Sequence, residues 1–207
     1  MPSETARIEA FSDGVFAIAV TLLILEVKIP PPGSGQLGTL LLKQWPSYFA
    51  FVLSFAFIGI MWINHHRLFN HIRRSDEGLL LLNLLLLLGV TAVPFPTAVL
   101  AIHLLTPDAR LAATIYNGTY VVIAILFRIL WHHALSHDLL GHEVDRASAD
   151  KISKQYAGGP FLYLACVGLA WFSVTASLVL NVALAIFFAL PPAVAERITG
   201  GAPADAS

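Results

Sequence analysis

Apolar and polar positions fall in long blocks along this chain. An apolar run from Arg7 to Lys28 carries Ser12, Asp13 and Thr21, a second becomes continuous after Pro46, and a third covers Leu79 to Leu105. A fourth covers Ala109 to Trp131, and a last reaches from Gly158 to Leu190. About 20 apolar residues cross a bilayer core, so each of the first four blocks predicts one spanning helix. As one helix, Gly159 to Leu190 would run about 48 Å against a core of about 30 Å. The small polar cluster Ser173, Thr175 and Ser177 near its midpoint predicts a break into two short helices. The alternative is five spans with one long tilted helix. The reading is an all-α polytopic membrane protein, a single unit over residues 1–207, with six transmembrane helices near 4–28, 40–64, 79–105, 109–131, 160–172 and 176–190.

The boundaries have local causes. Ser3 is placed to cap the first helix, with Glu4 at its positive end. Pro30, Pro31 and Pro32 followed by Gly33 stop it. The polar block Asn64 to Gly78 is expected to return the chain to water, and Pro94 with Pro96 to kink the third span. The N-terminal ten residues mix acidic and basic side chains and no small-residue cleavage site follows, so the first helix is expected to be retained.

Composition agrees with the membrane class: 57% of residues are hydrophobic and 12% charged, where a soluble domain carries about 25% charge. A net charge of −1 offers no field for nucleic acid. The lone Cys166 builds neither a disulfide framework nor a thiolate zinc site. Arg7, Arg67, Arg73, Arg74, Arg146, Lys151, Lys154 and Arg197 fall on one side of a six-span layout, and Lys28, Lys43 and Arg110 on the other. Eight against three, with Arg128 left aside, puts both termini in the cytoplasm of a cell (inner) membrane.

The first run is the unusual one. On a helix, Ile18, Leu22 and Leu25 lie within about 60° of one another with Thr21 beside them, while Asp13 points about 140° away from Ile18. The residues alone leave the aliphatic stripe free to meet lipid or other helices. A carboxylate near the start of a span, however, costs several kcal/mol unless the protein compensates it, and so marks a candidate functional position.

The string RIEAFSDGVFAIAVTLLILEVKIP, followed by WINHHRLF at Trp62 to Phe69, resembles the transmembrane protein 175 family of potassium-permeable channels, known from endosomes, lysosomes and bacteria. The resemblance is strong over the first two spans and rests on layout beyond them. It implies a homotetramer in a lipid bilayer, with the first helix of each subunit lining a central pore for potassium ions. The family constriction maps onto Ile18, with Leu22 and Leu25 deeper on the same face and Thr21 on its flank at a position implicated in ion preference. Apolar rings gate by dewetting when narrow and pass a partly hydrated ion when wider, so modest potassium selectivity is expected. The resemblance also places Arg7, Ser12 and Asp13 in a polar cluster behind the pore, where Trp62, Asn64 or His65 are the expected hydrogen-bond donors to Asp13.

Remaining polar residues carry less. His133 and His137 have the i, i+4 spacing of a metal chelate, but no HExxH pattern or carboxylate triad accompanies them in the sequence, so no metal and no cofactor is expected. Asn83, Asn117 and Asn181 read as interhelical glue. Nucleophile elbows and phosphate loops are missing, which argues against an enzyme. The expected function is a potassium-permeable cation leak channel. The alternative is a proton-coupled secondary transporter using Asp13 and a histidine of the second helix.

Overall fold

The computed structural model describes residues 5–141 and 144–189, apart from the side chains at 146, 148, 151, 155 and 189. Ser3, Glu4, Leu190 and Arg197, which entered the sequence analysis, lie outside them. The described chain is helical: α1 (Ala6–Leu22) continuing into a 3-10 turn (Leu23–Glu26), α2 (Leu37–Lys43), α3 (Trp45–His71), α4 (Glu77–Ala92), α5 (Pro94–His103), α6 (Ala109–Ser136), α7 (Arg146–Phe172) and α8 (Val174–Ala189). Four described segments are long and apolar enough to cross a membrane: Ala6–Glu26, Trp45–His71, Glu77–His103 and Ala109–Ser136.

Several boundaries differ from those read off the sequence. The second apolar block is divided at Gln44, so α2 is a short separate helix and the long helix begins at Trp45 with Pro46 in its first turn. At its other end α3 runs through the polar block as far as His71, burying His65, Leu68 and Phe69 while leaving His66, Arg67 and Asn70 exposed. Polarity in the sequence marks where a helix leaves hydrocarbon, and the backbone there is free to stay helical because water and headgroups solvate its outer face. For the same reason α6 runs past Trp131 to Ser136, and α7 begins at Arg146, well before the apolar stretch at Pro160.

Each break has a visible cause. Pro94 has no N–H to give, and the Val90 carbonyl accepts from Val93 N–H at 3.2 Å. The third block thus stays one span with α4 and α5 offset at Val93. At the other break, Ser173 Oγ accepts from Ala176 N–H at 3.2 Å and so caps α8, two residues earlier than the boundary expected at Ala176. Ser177 Oγ donates to the Cys166 carbonyl at 2.7 Å. Eleven residues along a straight helix would separate those atoms by about 16 Å, so the chain folds back at Ser173.

The core is aromatic and aliphatic, with Trp131, Tyr116, Tyr120, Phe16, Phe57 and Phe69 essentially without exposure. Buried polar groups are paired across helices. Ser54 bonds to Thr97 Oγ1 at 2.8 Å and to Tyr116 OH at 3.1 Å, joining α3, α5 and α6. Asn117 Nδ2 donates to Ser177 Oγ at 3.0 Å, and Asn181 Nδ2 donates to Asn117 Oδ1 at 2.8 Å, joining α6 to α8. These two asparagines are interhelical glue, as their placement in apolar spans suggested. At one end of the bundle the connections after α3 and α6 are stitched together, Arg73 N–H to Leu139 O and Gly141 N–H to His71 O, both at 2.9 Å.

Candidate functional site

The first helix divides cleanly into two faces. Ser12, Phe16, Ala19 and Leu23 follow the i, i+4, i+7, i+11 spacing and are buried against the rest of the chain. On the other side Ile18, Leu22 and Leu25 stand 59%, 41% and 61% exposed, forming an apolar row that no other part of the described chain covers. Leu25 lies in the 3-10 turn, whose tighter winding alters its angle from the straight-helix projection, but it remains on the open side. Only 22% of the α1 span is buried within the chain, against 44% for α3 and for α6.

Thr21, exposed on the flank of the row, donates its hydroxyl hydrogen to the Ile18 carbonyl at 2.8 Å. That hydrogen bond fixes the rotor and leaves the oxygen lone pairs turned outward, the arrangement that can face a cation. At the end of the row Lys28 Nζ donates to Leu25 O at 2.7 Å and stands 3.9 Å from the Glu26 carboxylate. This charged pair was not singled out by the sequence reading, because nothing in the spacing distinguishes it from a solvated helix end.

The polar residues of α1 are held by two neighbours. Trp62 Nε1–H donates to Asp13 Oδ1 at 2.8 Å, pinning α1 to α3. Ser12 Oγ donates to Ile8 O at 2.8 Å and accepts from Asn83 Nδ2 at 3.1 Å. Asn83 Oδ1 in turn accepts from His65 Nε2–H at 2.9 Å. The His65 ring is held in place by Phe69, stacked at 4.5 Å, and by the edge of Phe16 at 5.4 Å.

The cluster expected behind the row is thus rearranged. Asp13 takes Trp62 of the three proposed donors. His65 is turned to Asn83, because its imidazole is buried between Phe16 and Phe69 where the amide of α4 is the acceptor in reach. Asn64 faces the opposite way, lining a cavity with Tyr120, Tyr156 and Tyr163, and its carbonyl accepts from Tyr156 OH at 3.3 Å. Arg7 is exposed beside Phe11, Leu80 and Leu84 and takes no place in this network. Asn83 is the node that sequence reasoning did not place there: an amide in a span announces a partner but not which one.

A family model described as endosomal/lysosomal potassium channel TMEM175 matches residues 7–94. A potassium channel of Chamaesiphon minutus is 52% identical over 192 residues, covering 91% of this chain and 95% of that protein. The chain belongs to the TMEM175 family. Among solved structures, the crystal structure of a lysosomal potassium-selective channel TMEM175 homolog from Chamaesiphon minutus matches with a TM-score of 0.83 at 50% identity, over 90% of this chain and 96% of that one. The human endosomal/lysosomal proton channel TMEM175 is 35% identical over 146 residues, which is 66% of this chain but 29% of that larger protein. The region matched by the TMEM175 model contains the exposed row, Asp13 with Trp62, and the Ser12, Asn83 and His65 chain. The polar supports of α1 therefore fall inside the TMEM175 segment.

Removing Asp13 tests its support. Asp13→Ala is expected to lower the yield of assembled protein in size-exclusion chromatography before it alters ion preference, because it frees the Trp62 indole N–H and unpins α1. Stable assemblies with changed selectivity would contradict this role.

Proposed function

We propose that the chain is a potassium-permeable cation channel in which four copies surround a central axis lined by Ile18, Thr21, Leu22 and Leu25. The observation that carries this reading is the uncovered apolar row on α1, the least buried of the four long spans. A row of this kind needs covering by something outside the chain, and a closed ring of identical subunits turns it onto a shared axis. The Chamaesiphon minutus relatives, described as a potassium channel and a potassium-selective channel, support the same ion.

In this arrangement six helices span the bilayer, with the apolar half of α7 and all of α8 as the two short ones. Both termini lie in the cytoplasm at the cell (inner) membrane. Aliphatic rings supply no oxygen to replace water of hydration, so they resist the ion that dehydrates less readily and close by expelling water. Potassium passes with less dehydration penalty than sodium, and the outward oxygen of Thr21 sharpens the difference. Asp13, Ser12, Trp62, Asn83 and His65 hold the pore helix and do not touch the ion. Conduction is passive and needs no cofactor.

Flux through purified protein in liposomes tests the reading. Under a potassium gradient the current is expected to reverse near the potassium equilibrium potential and to persist when the pH is equal on both sides. A current that disappears with the proton gradient would replace the channel by a proton-coupled carrier. The pairing of Asp13 with Trp62 and of His65 with Asn83 argues against a direct proton relay between those two residues.

A further inference from the structure

The two histidines at the end of α6 acquire a third partner in the fold. Asp76, which caps α4 by accepting from Leu79 N–H at 2.7 Å, also accepts from His133 Nε2–H, at 2.9 Å to Oδ1 and 3.0 Å to Oδ2. The His137 ring stacks on His133 with centroids 3.9 Å apart. One ligand atom from each of Asp76, His133 and His137 lies within 4.8 Å of the other two.

We propose that Asp76, His133 and His137 form a binding site for a divalent transition-metal ion, of which zinc is the type, joining the start of α4 to the end of α6. Two imidazoles and one carboxylate are the donor set of an open zinc site, which completes its tetrahedron with water. The all-oxygen shells favoured by calcium and magnesium do not resemble it.

The hydrogen bonding of the ligands supports the assignment. His137 Nδ1 lies 3.0 Å from the His133 carbonyl, so that nitrogen donates to the backbone and Nε2 keeps the free lone pair. A ligating histidine is characteristically oriented this way, by a carbonyl or carboxylate on its other nitrogen. Binding at His133 Nε2 needs its lone pair, so the neutral ring takes up the Nδ1–H tautomer, and a protonated ring releases its Nε2 proton to water. Tetrahedral bonds of about 2.0 Å put ligands about 3.3 Å apart, and the exposed His137 side chain is free to close the remaining distance.

Gly78 is what admits the His133 ring. A Cβ added there would sit 2.5 Å from His133 Cε1 and 2.7 Å from Nε2. The site is open to solvent through His137, and the Arg73–Leu139 and Gly141–His71 backbone bonds hold the two connections on which it depends.

The test uses the tag-free full chain, stripped with chelator and titrated with cobalt(II), whose visible spectrum reports tetrahedral nitrogen and oxygen ligation. One cobalt per chain is expected, displaced by zinc and unaffected by magnesium. His137→Ala is expected to weaken binding at least ~100-fold, since losing a hydrogen bond that only orients a ligand already costs about 10–100-fold. Asp76→Asn is expected to do the same while keeping the helix cap, because asparagine caps as well as aspartate. Gly78→Ala should weaken binding with all three ligands still present. His132→Ala, on the neighbouring exposed position, should leave it unchanged. No saturable cobalt uptake by the parent chain, or affinity unchanged from the parent in His137→Ala and Asp76→Asn, would overturn the site, as would loss of binding in His132→Ala.

Discussion

Replacing Ile18 by asparagine is expected to raise potassium conductance about tenfold and to narrow the preference for potassium over sodium. The side chain is 59% exposed on α1 and takes no part in the buried core, so the substitution should leave the subunit folded. In the proposed tetramer its effect would fall on the axis. Four amides in place of four aliphatic tips would hydrate the narrowest ring and abolish dewetting as the barrier. A barrier lowered by about 1.4 kcal/mol is a tenfold increase in rate. Discrimination falls together with the barrier, because an ion that keeps its water there is no longer sorted by how readily it sheds it. Single-channel recording in bilayers, with reversal potentials under mixed potassium and sodium, reads both changes. Unchanged conductance and selectivity would move the constriction away from Ile18.

The second large effect is expected at Asn83, which meets the buried face of α1. Asn83→Leu removes the acceptor of His65 Nε2–H and the donor to Ser12 Oγ, both buried. A hydrogen bond between membrane helices is worth about 0.6 kcal/mol on average. Stranding its buried partners costs more, about 1–3 kcal/mol for each group left unpaired. A loss of about 2–6 kcal/mol and a clearly lower thermal midpoint in detergent are therefore expected. Adding His65→Phe should recover part of it, since an apolar ring keeps the stacking on Phe69 while removing the orphaned donor. A thermal midpoint in Asn83→Leu equal to the parent would show that α1 is held without this chain of bonds.

These two positions show how unevenly the site could be read beforehand. Ile18, Leu22 and Leu25 follow from helical spacing, and the fold leaves them uncovered. Asp13 announced a compensating partner by its cost in hydrocarbon, and Trp62, one of three donors considered, supplies it. Asn83 was legible as glue but not as the link between Ser12 and His65. Likewise, His133 and His137 formed half of a chelate until Asp76 arrived from the far end of another helix. That end of the bundle also sets the charge state of its carboxylate: the Leu79 N–H and the His133 ring hold Asp76 below the usual carboxylate range.

Hydrophobic block lengths, prolines and the position of single polar residues were enough to establish a helical membrane chain with α1 as its unusual segment. Those properties are local, because every backbone group in hydrocarbon must be satisfied within its own helix. Which helices share a buried amide, how far α3 and α6 continue beyond the apolar core, and where the histidines of α6 find a carboxylate were decided only by tertiary packing. Partner choice depends on distances between residues remote in the chain, and sequence periodicity within one helix carries no information about them.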